Sequence, residues 1–72
     1  MFIRIKNTYF NLNTVYKVYL VEDTINFIFG DDKHWHFAKY ENAEEAKDVF
    51  NKFGHWLSYK QANESVFVFQ KD

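Results

Sequence analysis

The chain predicts an α+β fold: an antiparallel meander of about five strands, one covering helix over about 43–59, and a short C-terminal strand. Three observations carry this. From Phe2 to Tyr40, apolar and polar residues alternate in short segments separated by turn signals rich in Asn, Asp, Thr and Gly. One stretch, NAEEAKDVFNKFGHWL over Asn42 to Leu57, combines helical spacing with a capping signal. The last apolar segment, VFVFQ over Val66 to Gln70, is apolar on both faces and calls for cover.

In Phe2 to Lys6, Ile3 and Ile5 fall on one face and Phe2, Arg4 and Lys6 on the other. Asn7-Thr8 is a turn, and Tyr9 to Leu12 a second strand with Phe10 and Leu12 facing in. Asn13-Thr14 breaks it, since both side chains compete for backbone hydrogen bonds. Val15 to Val21 is a third strand. Tyr16, Val18 and Leu20 are assigned to its inside and Lys17, Tyr19 and Val21 to its outside, an assignment one bulge would reverse.

After the turn Glu22-Asp23-Thr24, the fourth strand places Ile25, Phe27 and Phe29 on the core face and Asn26 and Ile28 on the other. Gly30-Asp31-Asp32-Lys33 reads as a hairpin loop, with Gly supplying positive φ. His34 to Tyr40 is the fifth strand, with Trp35 and Phe37 expected in the core and His34, His36 and Ala38 outside.

The helix starts well. Asn42 is placed to cap, Glu45 follows three residues later, and Glu44 and Glu45 sit at the positive end of the dipole. Ala46, Val49, Phe50, Phe53 and Leu57 form its apolar stripe. Gly54 either ends the helix as a C′ residue or lies inside it at about 1 kcal/mol relative to Ala. Leu57 prolongs the stripe, so the helix is expected to run to about Tyr59, with a loop over Gln61 to Ser65.

The 72 residues are read as a single domain, 1–72, near the smallest size at which one core suffices. Without cysteine there is neither a disulfide framework nor a thiolate metal site. A net charge of −1 gives no global attraction to nucleic acid or membrane. Apolar runs are too short to span a bilayer, and MFIRIK lacks the layout of a signal peptide, so the expected compartment is the cytoplasm. Two glycines leave no phosphate-cradling loop, and neither Ser58 nor Ser65 sits in a nucleophile elbow. No enzyme activity and no cofactor are expected.

Aromatic residues are the unusual feature, at 22 % of the chain: nine Phe, five Tyr and two Trp. Each buries roughly 150–250 Å² when enclosed, which is more than so small a domain can provide for all of them. Some must face a partner, a ligand or water.

Two stretches carry a resemblance. Phe2 to Val15, with FIRI and YFNLNTV, and Asn42 to Phe53, opening NAEEA, resemble short, mostly uncharacterised bacterial and mobile-element proteins. Those proteins open strand-turn-strand, pass through hairpins and enter an acidic-capped helix. The resemblance implies a shared fold and no activity.

Three constellations bear on function. His34 and His36 share a strand face, near Asp31 and Asp32, and are candidate metal ligands, although a solvated strand face explains them as well. Phe2, Arg4, Lys6, Lys17 and Tyr19 form a possible single-stranded nucleic-acid face, with aromatics to stack bases and cations to meet phosphates. Tyr40, Trp56, Tyr59, Phe67 and Phe69 are surplus to the expected core and read as a partner or self-association interface, or as closure of a monomeric core. The reading that results is a non-enzymatic interaction module, a homodimer that also engages an unidentified protein partner by occupancy, as small phage or plasmid inhibitors do. The alternative is a single-stranded nucleic-acid binder; no membrane association is expected.

Overall fold

The structure, a computed structural model, describes residues 1–30, 35–59 and 66–70. It is α+β, with six strands in two small sheets and a single helix among the described residues. Strands β1 (Phe2–Ile5) and β2 (Thr8–Asn11) form a hairpin, and β6 (Val66–Gln70) joins the other side of β1 in parallel, giving the order β2-β1-β6. Strands β3 (Val15–Val21), β4 (Thr24–Phe29) and β5 (Trp35–Lys39) make a second sheet, antiparallel throughout. Helix α1 (Ala43–Tyr59) lies between β5 and β6 in the chain.

The expected antiparallel strands are present, but the meander is divided between β2 and β3. Local polar chemistry divides it. The Asn11 side chain accepts from the Asn13 amide, and the Thr14 hydroxyl donates to the Asn11 carbonyl at 2.7 Å. These bonds wind Leu12–Thr14 into a turn of 3-10 helix, which hands the chain from one sheet to the other. Both two-residue hairpin turns begin with a non-glycine residue at positive φ, Lys6 at 55° and Glu22 at 51°. That sign matches the right-handed twist of the flanking strands.

Ile3, Ile5, Ile25, Phe27, Phe29, Ala38, Phe53, Trp56 and Phe69 form one buried cluster between the sheets and the helix. The alternation over β1 holds, and on β4 Ile25, Phe27 and Phe29 are buried on the core face as expected. Phe27 meets the edge of Phe69 with ring centroids 4.7 Å apart, and Phe53 joins Phe69 at 4.8 Å. The helix therefore covers the core that both sheets share, touching β3, β4 and β6. Its start is as expected: the Asn42 side chain accepts from the Glu45 amide at 2.8 Å. Its end is also as expected, since it runs through Gly54 to Tyr59.

Side-chain assignments are corrected at four places in the chain. Pairing slips between Val15 and Lys17, so Tyr16 is bulged out and exposed while Val15 turns partly inward beside Val18 and Leu20. On β5 the phase is inverted: Ala38 is buried opposite Ile25, and Trp35 and Phe37 point outward. Asn26, expected outside, is buried on the outward face with Tyr19 and Phe37 as its cross-strand neighbours. In the helix, Trp56 takes the core position expected of Leu57, which is exposed. The hairpin residues Asp31, Asp32 and Lys33 and the loop Gln61 to Ser65 lie outside the described residues.

Candidate interaction surface

The corrected phase of β5 produces the most distinctive surface feature. On the outward face of the β3-β4-β5 sheet, three cross-strand rows follow one another: Lys17, Ile28, Trp35; then Tyr19, Asn26, Phe37; then Val21, Thr24, Lys39. Trp35 is 59 % exposed and Phe37 48 %, with ring centroids 5.5 Å apart. Val21 is exposed as well, and the Lys17 ammonium sits 5.1 Å from the centre of the Tyr19 ring. Tyr19, Val21, Trp35 and Phe37 border a shallow cleft of about 400 Å³ that Glu22 and Asp23 also line. The face thus sets Tyr19 and Phe37 on either side of Asn26, with Lys17 at one end and Lys39 beside the acidic turn at the other.

The residues expected at an interface separate. Trp56 and Phe69 are buried in the core, and Phe67 is half-buried, its ring 5.3 Å from that of Phe53. Tyr40 is half-buried too, and its hydroxyl donates to the Phe69 carbonyl at 2.6 Å. Burial pushes the Tyr40 phenol up to about 12, with the nearby Glu45 carboxylate adding to the rise. Of the set, Tyr59 alone is well exposed, at 66 %.

The five residues of the possible nucleic-acid face do not share one surface. Phe2 and Arg4 lie on the outward face of the β2-β1-β6 sheet, where the Arg4 guanidinium stands 5.6 Å from the centre of the Tyr9 ring. Lys6 occupies the adjoining turn, and Lys17 and Tyr19 belong to the other sheet. Of the candidate metal ligands, His34 lies outside the described residues. His36 faces inward, its ring 4.9 Å from Phe10 and 5.4 Å from Phe29. Among the described residues, no group of three or more His, Cys, Asp or Glu side chains stands together as a metal site would require. No described helix is long and apolar enough to cross a membrane.

Sequence reasoning missed Trp35 and Phe37 as surface residues, although a signal was present. Lys39 has the same parity on β5, and a lysine at the end of a strand favours the solvent side. No family model matches the chain, and no curated protein and no solved structure matches it.

Proposed function

We propose that the protein is a non-enzymatic, cytoplasmic interaction module that pairs with a second copy of itself through the outward face of the β3-β4-β5 sheet. The observation that carries this reading is the adjacent, half-exposed pair Trp35 and Phe37 on β5, the edge strand of that face. Trp and Tyr, with Phe, concentrate at the centres of interfaces, where enclosure by a partner gives their rings the burial the monomer cannot.

Three features favour a second copy as the occupant. A chain of 72 residues without disulfides has a marginal core, and pairing enlarges it. A net charge of −1 sets up little repulsion between copies. A two-fold axis lying in the interface and perpendicular to the strands would set Lys17 of each copy against Glu22 of the other, the self-complementarity a symmetric dimer needs. Three strands spaced about 4.8 Å apart make a small face, so the dimer is weak and concentration-dependent. Phe2, Tyr9 and Val68, exposed on the other sheet, remain for a protein partner.

Light scattering over a concentration series tests the pairing: mass should rise from monomer toward dimer. A strict monomer at high micromolar concentration contradicts it. The single-stranded nucleic-acid reading has less support, because its cations are divided between two sheets and phosphate contacts dominate such affinities. A labelled oligonucleotide that fails to bind at low salt removes it.

A further inference from the structure

Where the 3-10 turn carries the chain between the sheets, they part and leave an open cleft of about 600 Å³. We propose that this cleft binds a neutral small molecule built on a planar heteroaromatic ring, of about nucleoside size. The site goes beyond the pairing face and does not depend on it.

Ring stacking is the first reason. Phe10, Phe29 and His36 come from three strands and two sheets, and they meet in the cleft lining with centroids 4.8, 4.9 and 5.4 Å apart. Phe29 is buried, so the partly exposed rings of Phe10 and His36 are the ones against which another ring would stack or meet edgewise. The bulge at Tyr16 adds a fourth aromatic side chain to the lining.

The second reason is polarity. Among the described residues of the lining, the side chains are apolar or carry uncharged polar groups, apart from the imidazole of His36. Among the described lining residues, His36 is the one ring with nitrogen atoms, and an imidazole ring can take part in hydrogen bonds at both nitrogens. Asn13 adds an amide, and Thr14 is already committed, its hydroxyl to Asn11 and its carbonyl to the Gly30 amide. A mostly apolar cleft of this volume with a few polar groups is the ordinary form of a small-molecule site. A ligand with edge donors and acceptors uses His36 and Asn13; a plain hydrocarbon leaves them unpaired, at a cost.

The test is an amide-detected NMR titration of the whole chain with adenosine, indole and n-octanol as probes. Adenosine should shift the amides of Asn13, Val15 and Gly30 saturably, with one molecule per chain, and octanol should not. His36→Phe keeps the ring and removes its nitrogens; it should weaken adenosine about tenfold, as the loss of one hydrogen bond does, and weaken indole, which has a single edge donor, less. Gly30→Leu should block both rings. Among the described residues, a Cβ at Gly30 would meet only the Thr14 carbonyl, at 3.7 Å, and the Gly30 φ is not positive, so the backbone tolerates a side chain there. If that variant fails to fold, Tyr16→Ser, at an exposed position, should weaken both rings instead. No saturable shift, shifts elsewhere on the chain, or octanol binding as well as adenosine would overturn the proposal.

Discussion

The Tyr40 hydroxyl donates to the main-chain carbonyl of Phe69 at 2.6 Å, across 29 positions of sequence. Tyr40 directly follows β5 and its own amide donates to Asp23, while Phe69 belongs to β6. Alongside it, the Gln70 side-chain amide donates to the Lys39 carbonyl at 2.9 Å. These two bonds tie the antiparallel sheet to the strand that completes the other sheet.

Because the Tyr40 bond is partly buried, Tyr40→Phe should lower stability by about 1 kcal/mol, measured by urea unfolding. It should also change the alkaline behaviour. The phenol rises from 10.0 in the unfolded chain to about 12 in the fold, so the folded state holds the proton more tightly. The stability this contributes is full below pH 10 and is lost as pH rises through 12. After allowance for solvent screening at a half-buried site, the loss should be roughly 1–2 kcal/mol. Tyr40→Phe should remove the part of the alkaline loss that this phenol causes.

Gly54 lies inside the helix, and among the described residues a Cβ added there meets no atom outside the helix's own backbone within 4 Å. Gly54→Ala should therefore stabilise by about 1 kcal/mol, the helix-propensity difference in full. Thermal unfolding checks it; an unchanged or lower midpoint would show that the helix does not span this position.

Asn42→Ala removes the acceptor for the Glu45 amide at the helix start. The expected cost is about 1 kcal/mol, and Asn42→Asp should preserve stability because a carboxylate also accepts that bond and suits the dipole.

Lys6 and Glu22 occupy the left-handed region at hairpin turns. Relief of the Cβ clash is worth about 1–2 kcal/mol, and the greater entropy that Gly loses on folding takes back about 0.5–1. Lys6→Gly and Glu22→Gly should each stabilise by about 0.5 kcal/mol in chemical denaturation.

Much of this fold is legible in the sequence because its signals are local. Ile3 with Ile5, and Ile25 with Phe27 and Phe29, announce their faces by parity, and Asn42 with Glu44 and Glu45 announces the helix. What was not legible depends on contacts distant in sequence. The parallel pairing of β1 with β6 joins the two ends of the chain, and no residue in FIRI or VFVFQ names its neighbour. Side-chain bonds around Asn11 to Thr14 read as a simple strand break, yet they split the meander into two sheets. Over a single sheet Trp56 and Phe69 are either surplus or the closure of the core. With two sheets and a helix to fill between, both are core. Trp35 and Phe37 went the opposite way, because hydrophobicity outweighed the parity they share with Lys39.

The outward pair is where the functional proposal is most exposed to test. Sedimentation velocity of the whole chain, compared with Trp35→Ser/Phe37→Ser over the same concentration series, addresses it directly. Both side chains are well exposed in the monomer, so the double variant should fold with little change in thermal midpoint. The parent chain should shift toward dimer as concentration rises, and the double variant should remain monomeric. A parent that stays monomeric throughout, or a double variant that pairs as strongly as the parent, would contradict pairing through this face.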